Sequence, residues 1–255
     1  MKRIFLACLV ALPMAVQAFP GADLWPILAR RRAEADDFVS TWRTTADTET
    51  ITVPTRSGFA YDCTVDWGDG TVESLSGYDD AKWTHEYATA GDYNVTISGT
   101  FEKIYFNDGG DRLKLIAIPN LGSVGWKSFY LAFYGCANLL SVAGGDTSLV
   151  DSFGYAFRGC SSLVTLDSSG WNTSSVVSFY LAFYGCSSVI TLDTSGWNTS
   201  SVETFAAAFR DCSSLTSYMP PAKFWDRVPA VPEHTECFYE ATNIVNYADI
   251  PADWK

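Results

Sequence analysis

The chain has 255 residues, 47% of them apolar and 15% aromatic, which supplies a folded core and excludes a disordered tail. With 17 basic against 29 acidic residues the net charge is −12. That balance repels phosphate, so nucleic acid and an anionic membrane surface are excluded as ligands. Only two histidines are available, too few for most His-based metal sites or catalysis.

Residues 1–18 begin with Lys2 and Arg3, continue through an apolar run from Ile4 to Val16, and end on Val16-Gln17-Ala18. Small residues at the last and third-last positions after such a run predict a secretory signal peptide. The run is short for a permanent membrane span. The expected product is therefore secreted or displayed at the cell surface, with no membrane insertion once the signal is removed. The alternative is an apolar helix that stays attached and docks on a partner. Residues 19–37 carry Trp25-Pro26 and Arg30-Arg31-Arg32 ahead of Glu34, Asp36 and Asp37, and read as a linker with a short amphipathic helix.

Residues 38–106 alternate apolar and polar positions, with turn signals every 8–12 residues. This predicts a small β-sandwich. Its signposts are Trp67-Gly68-Asp69-Gly70, His85-Glu86-Tyr87 and Gly91-Asp92-Tyr93-Asn94-Val95. Trp67 is expected in the core and Gly68-Asp69-Gly70 in a hairpin turn. The three motifs in this order resemble the polycystic-kidney-disease (PKD) type of immunoglobulin-like domain, which implies a spacer or protein-contact module. Asp66, Asp69, Asp79, Asp80 and Asp92 could be calcium ligands or paired catalytic carboxylates; the plainer reading is turn-forming acids on a solvated surface. His85 reads as a strand residue, and the chain holds no G-x-S-x-G nucleophile motif. Gly109-Gly110 is a lone turn. No catalytic residue, metal site or cofactor is expected.

From residue 107 onward the chain repeats. Cys136, Cys160, Cys186 and Cys212 lie 24, 26 and 26 residues apart, each closing an A-F-x-x-C motif. Phe133, Phe157, Phe183 and Phe209 stand three before each Cys, and Phe129, Phe153, Phe179 and Phe205 four before those. The i, i+4, i+7 spacing predicts a helical turn. Leu139 and Val142, Leu163 and Leu166, Val189 and Leu192, and Leu215 and Tyr218 follow as short strands. Leu113 with Ile116, and Ile244 with Tyr247, are read as the first and last copies, with Phe238 in the second Phe position and Ala241 in place of Cys. Stacked copies put equivalent side chains about 4.8 Å apart. The thiols are read as small buried hydrophobes, with disulfides between rungs the alternative.

The unit W-N-T-S-S-V-x-x-F-x-x-A-F-x-x-C-S-S-L-x-x-L-D, seen over residues 171–193 and 197–219, resembles the leucine-rich repeat of BspA-type bacterial surface proteins, a repeat also found in phage and prophage tail proteins. The resemblance implies parallel strands in a solenoid and a role in adhesion or recognition. The expected fold class is therefore mixed: a PKD/Ig-like β-sandwich over 38–106, then an α/β leucine-rich-repeat solenoid with a C-terminal cap over 107–255.

One residue after each second Phe stand Tyr134, Arg158, Tyr184, Arg210 and Tyr239. Their neighbours face the core, so this column is expected to face outward, extended by Tyr130 and Tyr180. Alternating Tyr and Arg is the composition of a recognition surface; the plainer reading is stacking between rungs. The sequence thus predicts a non-catalytic extracellular protein that binds a protein or glycan surface. The alternative is a phage tail or receptor-binding component that contacts other virion proteins, and a smaller one is an ice- or mineral-binding solenoid using Ser141, Thr165, Thr191 and Ser217.

Overall fold

The computed structural model describes residues 36–216, 233–244, 247–250 and 252–255. The signal peptide, nearly all of the 19–37 linker, Ser217 and Tyr218 lie outside the described residues.

Strand β1 (Phe38–Thr44) buries alternate residues Phe38, Ser40, Trp42 and Thr44. It sits centrally, pairing antiparallel with β6 (Gly91–Phe101) on one side and β7 (Leu115–Asn120) on the other. β3 (Tyr61–Asp66) alternates strictly, with Tyr61, Cys63 and Val65 inward, and pairs with β4 (Val72–Ser76) and β6. β2 (Glu49–Thr52) and β5 (Thr84–Tyr87) form a separate two-stranded sheet. Ile51 and Tyr87 from that pair join Trp42, Trp67, Val95 and Ile97 in one core cluster. Trp67 is fully buried, and Gly68 and Gly70 take the positive φ of the β3–β4 turn, at 80° and 98°. A Cβ on Gly68 would lie 2.5 Å from the Asn94 carbonyl oxygen, so the turn admits no larger residue there.

The large sheet does not stop at the start of the repeat. Its order is β4-β3-β6-β1-β7-β8-β9, with β8 (Ser141–Val142) and β9 (Thr165–Leu166) parallel to β7. Single parallel bridges continue the series at Thr165↔Thr191, Ser152↔Ser178, Ser178↔Thr204 and Thr204↔Glu233. Four strands of residues 38–106, β1, β3, β4 and β6, are thus part of one mixed sheet shared with the first rungs, where the sequence predicted a β-sandwich ending before the repeat.

The α/β leucine-rich-repeat solenoid is overturned. The described residues of the repeat hold no α-helix, and the helical turns from β1 onward are 3-10 turns at Ala81–Trp83, Tyr247–Asp249 and Ala252–Trp254. The Phe-Phe-Cys spacing builds successive tight turns instead: the amides of Ala132, Cys136 and Leu139 donate to the carbonyls of Phe129, Phe133 and Cys136, each three residues back. The same three bonds recur from Phe153, Phe179 and Phe205. Left-handed residues inside each pair of turns prevent a helix: Leu131 and Gly135, Tyr155 and Gly159, Leu181 and Gly185, Ala207 and Asp211 all have φ between 51° and 81°. Amides not used within the rung reach the next one, as Phe129 to Ser152, Leu131 to Gly154, Phe133 to Ala156 and Gly135 to Arg158, at 2.8–3.0 Å. The repeat is a stack of turn-built rungs with short parallel ladders.

Equivalent rings do superpose. The centroids of Phe157, Phe183, Phe209 and Phe238 are 5.6, 5.3 and 5.3 Å apart in sequence, nearly coplanar in tilt. Phe153, Phe179 and Phe205 repeat this at 5.2 Å. Trp171 stacks on Phe153 at 4.8 Å, filling the return side of its rung. The buried Thr147 and Thr173 hydroxyls donate to the Asn172 and Asn198 carbonyls of the following rungs, both at 3.0 Å.

Two register expectations also fail at the ends of the repeat. Ile118, not Ile116, pairs with Val142, and Leu113 is exposed. The returns from Ile118 to Phe129 and from Val142 to Phe153 are two residues shorter than those from Leu166 to Phe179 and from Leu192 to Phe205, so counting back from the later rungs misplaces the strand. At the other end Ile244 lies in a turn and Tyr247 opens a 3-10 turn, and neither forms a strand.

Candidate functional site

Each member of the predicted column occupies the second position of a Phe-x-x-Cys-type turn. The Phe133 carbonyl accepts the Cys136 amide, with Tyr134 between them and Gly135 at positive φ in the third position, as in a type II turn. The turn sends Phe133 and Cys136 inward and leaves Tyr134 at the surface. Stacking then aligns Tyr134, Arg158, Tyr184, Arg210 and Tyr239 on one side of the molecule.

They form a continuous cation–π ladder. The Arg158 guanidinium lies 5.0 Å from the Tyr134 ring centroid and 5.2 Å from that of Tyr184. The Arg210 guanidinium lies 5.7 Å from Tyr184 and 4.7 Å from Tyr239. Arg210 also pairs with Glu236. Arg158 has no ion-pair partner among the described residues, so its N–H groups are available outward. The four inner members of the column are half-buried on their rung-facing sides, while Tyr239 is exposed.

Tyr130 and Tyr180, both exposed, run alongside as a second column. Between them stands Tyr155, which the sequence pattern did not single out. Its ring meets Tyr130 edge-on at 6.0 Å and Tyr180 at 5.1 Å, and it touches the Arg158 guanidinium at 5.4 Å. Tyr155 thereby joins the two columns into one face. Gly154 makes room for the Tyr130 ring, since a Cβ there would lie 3.1 Å from it. Tyr155 escaped notice because it sits at the left-handed position of its turn, where Leu131, Leu181 and Ala207 stand in other rungs.

Tyr130 also closes the lower end of the face over Lys103. That side chain is 1% exposed, and its ammonium donates to the Tyr130 carbonyl at 2.5 Å.

Four of the five candidate acids of residues 38–106, all but Asp79, are committed to local structure. Asp66 and Asp69 accept the amides of Gly68 and Thr71 at 2.9 Å, Asp80 caps the Ala81–Trp83 turn, and Asp92 pairs with Arg43. His85 bonds Asp69 at 2.8 Å and stacks on Trp67 at 5.0 Å. Burial acts to raise the Asp69 carboxyl, but the hydrogen bonds from His85 and Thr71 leave it below its ordinary range. Among the described residues no three His, Cys, Asp or Glu side chains gather as a metal site.

Residues 127–250 match a family described as Mycoplasma protein of unknown function, DUF285. The matched segment carries the tyrosine–arginine face and the repeat with BspA-type resemblance. No curated protein and no solved structure matches the chain.

Proposed function

We propose that this is a non-catalytic extracellular binding protein that recognises a protein or glycan surface through the tyrosine–arginine face of its stacked rungs. The observation that carries the reading is the join between the two columns: Tyr155 and Arg158 turn separate tyrosines into one contiguous patch. Tyr and Arg dominate the energetics of recognition surfaces because they offer large, polar-tipped contact area. Here their side chains are held by neighbours in the rungs above and below, so little rotamer freedom is lost on binding. Arg158 sits at the centre with hydrogen-bonding capacity to spare, suited to a carboxylate or a sugar hydroxyl. The BspA-type and PKD-type resemblances support the reading, since both imply contact modules.

The double variant Arg158→Ala, Tyr184→Ala tests it against an array of glycans and extracellular matrix proteins. Expected is a loss of at least about tenfold in affinity for the wild-type ligand, with an unchanged circular dichroism spectrum. Unchanged affinity in a folded variant would remove the face from the binding role.

A further inference from the structure

A second feature lies at the foot of this face, in a cavity of about 350 Å³ lined by Arg56, Ser57, Phe59, Lys103, Ser128 and Tyr130. The volume suits one small ring-shaped ligand. Two cations meet there. The Lys103 ammonium lies 5.5, 5.7 and 5.8 Å from the ring centroids of Phe59, Tyr105 and Tyr130, and the Arg56 guanidinium lies 4.2 Å from that of Tyr105. Neither cation has an ion-pair partner among the described residues, and the Tyr130 carbonyl is the one hydrogen-bond acceptor of the Lys103 ammonium.

This arrangement is unfavourable for the protein by itself. A buried ammonium with one acceptor leaves two N–H groups unsatisfied in surroundings of low dielectric. The exposed Arg56 beside it adds repulsion. A chain with 29 acidic residues has ample carboxylates to neutralise such a pair, yet among the described residues none lies within ion-pair distance of either cation, and Asp151 acts on the ammonium only from further away. An incoming anion would supply both the missing charge and the missing acceptors. Phe59 and Tyr130 flank the same space, and Ser57 and Ser128 line its wall.

We infer that this cavity is a subsite for an acidic sugar: Arg56 and Lys103 take the ring carboxylate, and Phe59 and Tyr130 pack against the pyranose faces. The inference rests on the binding role of the adjoining face and narrows its ligand to a carboxylate-bearing glycan. Tyr130 belongs to both sites, so one chain of sugars could continue from the cavity onto the Tyr155–Tyr180 column.

The test is calorimetric titration of the full chain with D-glucuronate, its methyl ester, D-glucose, glutarate and inorganic phosphate. Glucuronate is expected to bind at least about tenfold more tightly than the ester, glucose, glutarate or phosphate. Arg56→Gln, at an exposed position, is expected to weaken glucuronate at least about tenfold with the melting temperature unchanged. Lys103→Met should abolish the preference for glucuronate over its ester; because that variant could misfold, Arg56→Gln decides the matter. Equal binding of acid and ester, no glucuronate binding, a preference for phosphate or glutarate, or an unaffected Arg56→Gln variant each overturns the inference. The face remains separately testable, because Arg158→Ala, Tyr184→Ala leaves the cavity lining intact.

Discussion

The thiol of Cys160 donates to the carbonyl oxygen of Phe133, one rung away, at 3.2 Å. That oxygen already accepts the amide of Cys136 within its own turn. Cys186 and Phe157, and Cys212 and Phe183, repeat the relationship at 3.1 Å. The cysteine column is therefore a set of small inter-rung donors, more than apolar filler, and its sulfurs are not joined as disulfides.

Burial pushes the thiols of Cys136, Cys160, Cys186, Cys212 and Cys237 well above their ordinary range, and that of Cys63 up to about 12. Thiolate is the reactive form, so a thiol reagent at about pH 8 should leave these six unmodified in the native protein and modify each of them in denaturant. Modification of a rung thiol in the native state would contradict the packing. Cys186→Ala should cost on the order of 1–2 kcal/mol by chemical denaturation, from the lost donor and the space left.

Gly159 tests why the rungs are turns. Its φ is 72°, and a Cβ added there would meet nothing closer than 3.9 Å. Gly159→Ala therefore isolates the backbone penalty, about 1–2 kcal/mol for an L-residue in the left-handed region. Gly159→Asn should recover part of the loss, because Asn tolerates that region better. The equivalent positions in later rungs, Asp211 and Glu240, carry side chains at φ 60° and 59°. A stability unchanged by Gly159→Ala would place the residue in another conformation.

Those left-handed residues mark the limit of what the sequence disclosed. Apolar–polar alternation within residues 38–106 and the Gly68-Asp69-Gly70 turn were legible, because period two and Gly-rich turns are local signals. The period of the Phe and Cys columns was equally plain. The same columns misled about the rung backbone: an i, i+4 Phe pair fits a helix, and the decisive cue was the Gly directly before three of the four rung cysteines. Leu131, Leu181 and Ala207 at positive φ give no such cue, because stacking on neighbouring rungs holds them there. Ile116 was taken for Ile118 because turn length varies between rungs. The period alone sets Tyr134, Arg158, Tyr184, Arg210 and Tyr239 at equivalent positions, whereas Tyr155 and the burial of Lys103 depend on residues brought together from different rungs and loops.

Lys103 gives a pH dependence of known sign. Burial lowers its ammonium to about 7, with Arg56 adding to the effect and Asp151 opposing it. In the unfolded chain the group titrates near 10.4. Between those values the unfolded state holds a proton that the folded state has released, so this group's contribution to stability rises with pH. Tyr105 and Tyr130 face the ammonium, and the Tyr61 hydroxyl bonds the Lys103 carbonyl. All three phenols are common to wild type and Lys103→Met, so the comparison isolates the ammonium. Denaturation of both proteins at about pH 7 and pH 9.5 should shift the difference toward wild type by a few kcal/mol at the higher pH. Parallel stabilities would show that Lys103 is solvated.

The stacking of rungs underlies the face, the cysteine donors and the cavity under Tyr130. Nuclear Overhauser effects between ring protons of Phe157, Phe183 and Phe209, with phenylalanine selectively labelled, test it most directly. Centroids 5.6 and 5.3 Å apart predict strong cross-peaks between Phe157 and Phe183 and between Phe183 and Phe209, and only weak ones between Phe157 and Phe209. Absence of the two neighbour cross-peaks in the folded protein would contradict the account.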